Sequence, residues 1–155
     1  MPVSDLVSEL ESTRKFFCTT ISIFEPQDAG FAPHAEMYTT AAHVSHVADT
    51  VDWFMGGAFG AGWDLDFDGA IARAKAVTSL EQAQAAMLDA FERAIATVQA
   101  SSNEALFEPI PNDTIMHGAP RQAVISGIVD HTAHHRGSLA VYARLLGKVS
   151  PMPYA

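Results

Sequence analysis

Apolar residues recur along this chain at the three-to-four-residue interval of a helix, in four long stretches separated by clusters of Pro, Gly, Asn and Asp. The first, VSDLVSELESTRKFFCTTISIF, places Leu6, Leu10, Phe17, Ile21 and Phe24 near one face, with Ser4 as the expected N-cap and Glu25-Pro26 as the stop. The loop PQDAGFAPHAE follows. Helical periodicity resumes in MYTTAAHVSHVADTVDWFMGGAF, where Gly56-Gly57 is expected to loosen it. GAGWDLDFDGAIARAKAVT reads as a turn and a short amphipathic helix. Thr78 or Ser79 then opens a third long helix, with the spacing of a capping box, that runs to about Ala100. After the connection SSNEALFEPIPNDTIMHGAPRQ, a fourth helix is expected from Ala119 or Pro120 to Leu146. Gly147 at its left-handed C-cap and Pro151 beyond would close it. No period-two alternation and no internal repeat survives inspection. The pattern predicts an all-α chain, a four-helix bundle with short extra helices in the connections, forming one domain over residues 1–155.

Composition narrows the function classes. Hydrophobic residues make up 48% and charged residues 17%, far from the signature of disorder. Nine basic residues against eighteen acidic ones give a net charge of -9, with no Lys/Arg run, so a phosphate backbone would be repelled and nucleic acid is not an expected partner. The acidic residues, among them Asp49, Asp52, Asp64, Asp66 and Asp68, are scattered as on a solvated surface. No stretch approaches the roughly 20 apolar residues needed to span a bilayer, so no membrane role is expected. The lone Cys18 excludes an internal disulfide and reads as a core residue, and the N-terminal residues lack the pattern of a signal peptide; the expected location is the cytoplasm.

Histidines change the picture. Residues 130–138 read DHTAHHRGS, and His131 and His135 lie one turn apart in a seam with Val124, Ile128, Tyr142 and Leu146. Two imidazoles so spaced can aim nitrogens at one point, although buried histidines are commonly core residues with hydrogen-bonded rings. A third ligand must come from another helix, and the second stretch supplies His43 and His46. The apolar stripe Val47, Val51, Phe54 and Ala58 centres nearer His43, so spacing leaves the choice between the two open. The di-iron pattern Glu-x-x-His is missing, and Thr132 after His131 excludes the HExxH of zinc proteases.

The tail IVDHTAHHRGSLAVYARLLGKVSPMPY resembles the last helix of the DinB/YfiT-like four-helix proteins: two histidines four apart, Arg-Gly, a polar residue, then an aromatic, Arg and Leu-Gly. A histidine seven residues before an aromatic, here His46 before Trp53, is similar to the family's second helix. The resemblance implies one divalent metal, nickel or zinc, held by His46, His131 and His135, and a homodimer. It also implies a metalloenzyme acting on a small-molecule substrate, either in thiol-dependent transfer with a low-molecular-weight thiol or as a metal-dependent hydrolase. A non-catalytic metal-binding bundle stands as the third reading. For hydrolysis Asp49, Asp130 and His134 are the nearest candidate bases, Asp130 rather as a capping or orienting group. His134 is expected to be exposed or beside the ligands. The turn Met116-His117-Gly118 reads as a connector rather than a lid.

Overall fold

A computed structural model describes residues 1–155. Six α-helices follow one another: α1 (Val3–Ile21), α2 (Thr40–Phe59), α3 (Phe67–Ala76), α4 (Leu80–Ala100), α5 (Asn103–Phe107) and α6 (Ala123–Leu145). Single helical turns stand at Pro26–Asp28 and Met116–Gly118, and the only β pairing is the isolated bridge between Pro109 and Pro120. The long helices close a ring in the order α1, α4, α2, α6, each packed on two neighbours, which is the four-helix bundle predicted by the periodicity. Inside it Leu10, Phe17, Val44, Val47, Val51, Met87, Phe91, Ile125, Ile128 and Leu139 are fully buried. The two short helices, α3 and α5, lie in the connections. No helix is long and apolar enough to cross a membrane.

Local chemistry sets the helix ends. Ser79 caps α4 by accepting from the Gln82 backbone N–H at 3.2 Å, and Thr39 caps α2 by accepting from Ala42 at 3.1 Å. Asp66 does the same for α3 at Gly69. The expected cap at Ser4 is not formed. Val3 already begins α1, the Asp5 and Leu6 N–H groups donate to the Pro2 carbonyl, and the Ser4 hydroxyl turns to the Asp5 carboxylate. At its other end α1 stops at Ile21, short of Phe24, which is buried from the turn beyond. Gly147 (φ +74°) ends α6 as predicted: its N–H donates to Arg144 and that of Lys148 to Ala143, the paired bonds of a Schellman end. Lys148 then ion-pairs with Glu25 and the buried Asp28, tying this end of α6 to the turn after α1.

Two expectations about helix limits are corrected. α2 does not loosen at Gly56-Gly57 but continues to Phe59, because Gly57 is where the Trp63 ring lies on the helix, in space that a Cβ would occupy. Helix α6 begins at Ala123 rather than at Ala119 or Pro120. Residues 119–121 are drawn into extended pairing with 108–110, through Ile110 N–H to Ala119 O and Arg121 N–H to Glu108 O, both 2.9 Å.

Candidate metal centre

α2 and α6 are antiparallel neighbours in the ring, which brings His43 and His46 opposite His131, His135 and Tyr142. Nε2 of His131 lies 3.1 Å from Nε2 of His46 and 3.1 Å from Nε2 of His135. The ligand atoms of these three histidines all fall within 4.8 Å of one another, a group able to hold a metal ion. A tetrahedral ion with bonds of about 2.0–2.1 Å holds its nitrogens about 3.4 Å apart, close to the two 3.1 Å separations made by His131. Hydrogen bonding among the rings fits less well. His131 Nε2 faces His46, His135 and the Thr50 hydroxyl (3.5 Å) at once, and one ring nitrogen offers a single proton or a single lone pair.

Burial keeps these rings neutral. It lowers the pKa of His43 and of His131 to about 4 and that of His135 to about 2, with repulsion from neighbouring imidazoles adding to each, and it lowers His46 as well. A neutral imidazole has a lone pair to give, so the group is ready for a cation at neutral pH.

The sequence left His43 and His46 as rivals, and in the structure they have different surroundings. His43 is not in the three-nitrogen group. Its Nδ1 lies 2.9 Å from the Nδ1 of His135, and its Nε2 lies 3.1 Å from the Tyr142 hydroxyl. His134 is exposed, its ring set edge-on to His135 at 4.9 Å between centroids. Asp130 is corrected: it is exposed, caps nothing and makes no hydrogen bond to any histidine, because it sits 100° around α6 from His131. Met116, His117 and Gly118 pass through three successive left-handed conformations (φ 59°, 50° and 70°) and form no wall of the cavity at the histidines. Cys18 is half-buried against the core, as expected, and burial raises its thiol pKa.

A cavity of about 420 Å³ opens beside the histidines, with His46 and His131 on its wall. Trp53, Phe54 and Phe67 give it an aromatic side, while Asp49, Asp52, Asp64, Asp66 and Arg73 supply its charge. Sequence reasoning treated these acids as solvated surface and missed the cavity; the signal was WDLDFDG, acids alternating with large apolar residues just after α2. The segment is pinned by the Trp53 indole N–H, which donates to the Asp64 carbonyl at 2.7 Å. Three of the carboxylates are engaged: Asp52 with Arg93 (2.7 and 3.2 Å), Asp64 with Arg73 (3.6 Å), and Asp66 as the cap of α3. Asp49 has no ion pair and no hydrogen bond. Burial pushes its carboxyl above the ordinary range, opposed by Arg73 and reinforced by Asp52.

A model of the DinB family matches residues 5–155. The chain belongs to the DinB family. Among solved structures, a mutant of a mycothiol-dependent maleylpyruvate isomerase superposes with a TM-score of 0.71 at 11% sequence identity, over 90% of this chain and 61% of that one. This likeness shows the DinB fold, and the chain spans about three fifths of that protein's length. No curated protein sequence matches the chain.

Proposed function

We propose that this DinB protein is a metalloenzyme in which His46, His131 and His135 hold one divalent metal, nickel or zinc, and in which a low-molecular-weight thiol attacks a small electrophile. The observation that carries this reading is the cavity: two of the three histidines form part of its wall, so a small molecule can reach the group. A purely structural metal site would be closed on all sides by protein. When bound, the metal would supply a double positive charge that favours thiolate over thiol at neutral pH. The chain's own part is to hold three neutral imidazoles in place, to shield one side of the cavity with Trp53, Phe54 and Phe67, and to orient a ligand against Asp49 and Arg73. The structural likeness to a mycothiol-dependent enzyme supports the thiol as co-substrate.

One observation favours metal-dependent hydrolysis as the second reading. Asp49 is an unpaired, half-buried carboxylate on the same cavity, which suits a base that takes a proton from water. The deciding experiment incubates metal-loaded protein with mycothiol, bacillithiol, glutathione or cysteine, each with generic electrophiles, and separately with simple esters. Thiol consumption that depends on both the metal and His46 supports transfer; ester cleavage without thiol replaces it with hydrolysis; inactivity throughout, with metal bound, favours a binding protein. We also propose a homodimer, consistent with the exposed apolar residues Val141, Leu145 and Val149 at the end of α6 and beyond. Sedimentation showing only a 16.6 kDa species would overturn it.

A further inference from the structure

His43 is buried next to the three-nitrogen group without joining it, and its two ring nitrogens both have partners. We propose that His43 and Tyr142 are positioning residues: a one-way hydrogen-bond chain anchored on the Tyr38 carbonyl holds His135 as its Nδ1–H tautomer. That leaves His135 Nε2 bare and aimed at the point shared with His46 and His131.

The direction follows from the anchor. A backbone carbonyl only accepts, so the Tyr142 hydroxyl, 2.8 Å from Tyr38 O, donates its single proton there. Toward His43, 3.1 Å away, the Tyr142 oxygen can then only accept, which places the His43 proton on Nε2. A neutral His43 protonated at Nε2 has a lone pair at Nδ1. The facing Nδ1 of His135, 2.9 Å away, must therefore be the N–H. A neutral ring carries one proton, so His135 Nε2 has none. Reversing any link sets two lone pairs against each other at 2.9 or 3.1 Å, or leaves the Tyr38 carbonyl facing an oxygen without a proton between them.

Packing holds the chain still. Tyr142 is 1% exposed, and its ring meets Phe31 edge-on at 5.6 Å between centroids, while Tyr38 meets His43 edge-on at 5.5 Å. Of the three histidines in the group, only His135 has its second ring nitrogen bonded to protein. It is thus the ligand whose tautomer and ring angle the fold dictates, and such outer partners commonly change metal affinity by about 10–100-fold.

The consequence for affinity rests on the metal reading, whereas the proton placement belongs to the chain itself and is tested first. In ¹⁵N-histidine-labelled, metal-free protein near pH 7.5, long-range ¹H–¹⁵N spectra should show His43 as the Nε2–H tautomer and His135 as the Nδ1–H tautomer. Finding His135 protonated at Nε2 overturns the proposal whether or not metal binds. Chelator-competition titration with zinc then compares variants. His43→Leu should weaken binding about 10–100-fold, and His43→Asn, whose Oδ1 can accept from His135 Nδ1–H, should recover most of the loss. Equal affinity of His43→Leu and wild type, or no difference between the two variants, overturns it. Should His43→Leu fail to fold, Tyr142→Phe removes only the hydroxyl and should show mixed His43 tautomers; a single unchanged tautomer there also overturns it.

Discussion

The ring of Phe54 in α2 lies so near Gly127 in α6 that a Cβ at 127 would stand 2.7 Å from Phe54 Cε1 and Cζ. Gly127 is one turn ahead of His131, so the close approach of the two helices is set beside the nitrogen group, and the same ring is a wall of the cavity. Gly127→Val should therefore lower the unfolding free energy by about 1–3 kcal/mol, the usual cost of overpacking. Urea melts of the metal-free chain check this, and an unmoved midpoint would show that the ring swings aside freely.

Metal content is the second test. Wild-type protein, passed through a desalting column after loading, should retain about one divalent ion per chain, while His46→Ala, His131→Ala and His135→Ala should each lose it, because two imidazoles alone hold such an ion weakly. Elemental analysis reads the result. Full retention by His46→Ala would remove α2's share in the site as assigned.

Acid should destabilise the metal-free chain over a defined window. The folded pKa values of His43, His131 and His135 lie at about 4, 4 and 2, and that of His46 is also lowered, whereas an unfolded histidine titrates near 6.5. Between these limits the unfolded state binds more protons, so stability is fully present above about pH 6.5 and falls as pH drops toward 4. Urea midpoints measured from pH 8 to 4.5 test the sign; a midpoint constant across that range would mean the rings are not buried neutral. Metal affinity should decline in the same direction, since protons compete for the same nitrogens.

Asp49→Asn separates the two reactions. If Asp49 serves only to shape the cavity for thiol transfer, the thiol-dependent rate should change by less than about tenfold, while a general-base role in hydrolysis predicts a loss of about 10²–10⁴-fold. Initial rates on the substrate found by screening decide it. Stability should not fall, because the carboxylate has no partner to lose.

The bundle was legible because the apolar repeat of its four long helices is strong, and Ser79 and Gly147 marked ends through chemistry that acts within a few residues. The group His46, His131 and His135 was reached through a motif resemblance, since α2's own stripe pointed nearer His43. That stripe was correct in its way: His43 is the more buried of the two, but burial placed it against His135 and Tyr142, a partnership across 92 and 99 residues that no local spacing reveals. Ser4 and Gly56-Gly57 misled for the opposite reason. Local propensity there is overruled by a carbonyl at Pro2 and by the Trp63 ring arriving from outside α2.

Residues 64–73, which include the start of α3, supply Asp64, Asp66, Phe67, Ala70 and Arg73 to the cavity, yet α3 packs chiefly on α2 and contributes none of the three converging nitrogens. Part of the wall that would choose a ligand is therefore carried by a stretch of chain apart from the three nitrogens, while Asp49, Thr50, Asp52, Trp53 and Phe54 supply the rest of it from α2, the helix of His46. One side of that wall could be rewritten within ten consecutive residues without disturbing the nitrogens, whereas the side that α2 provides can change only on the helix that also holds His46.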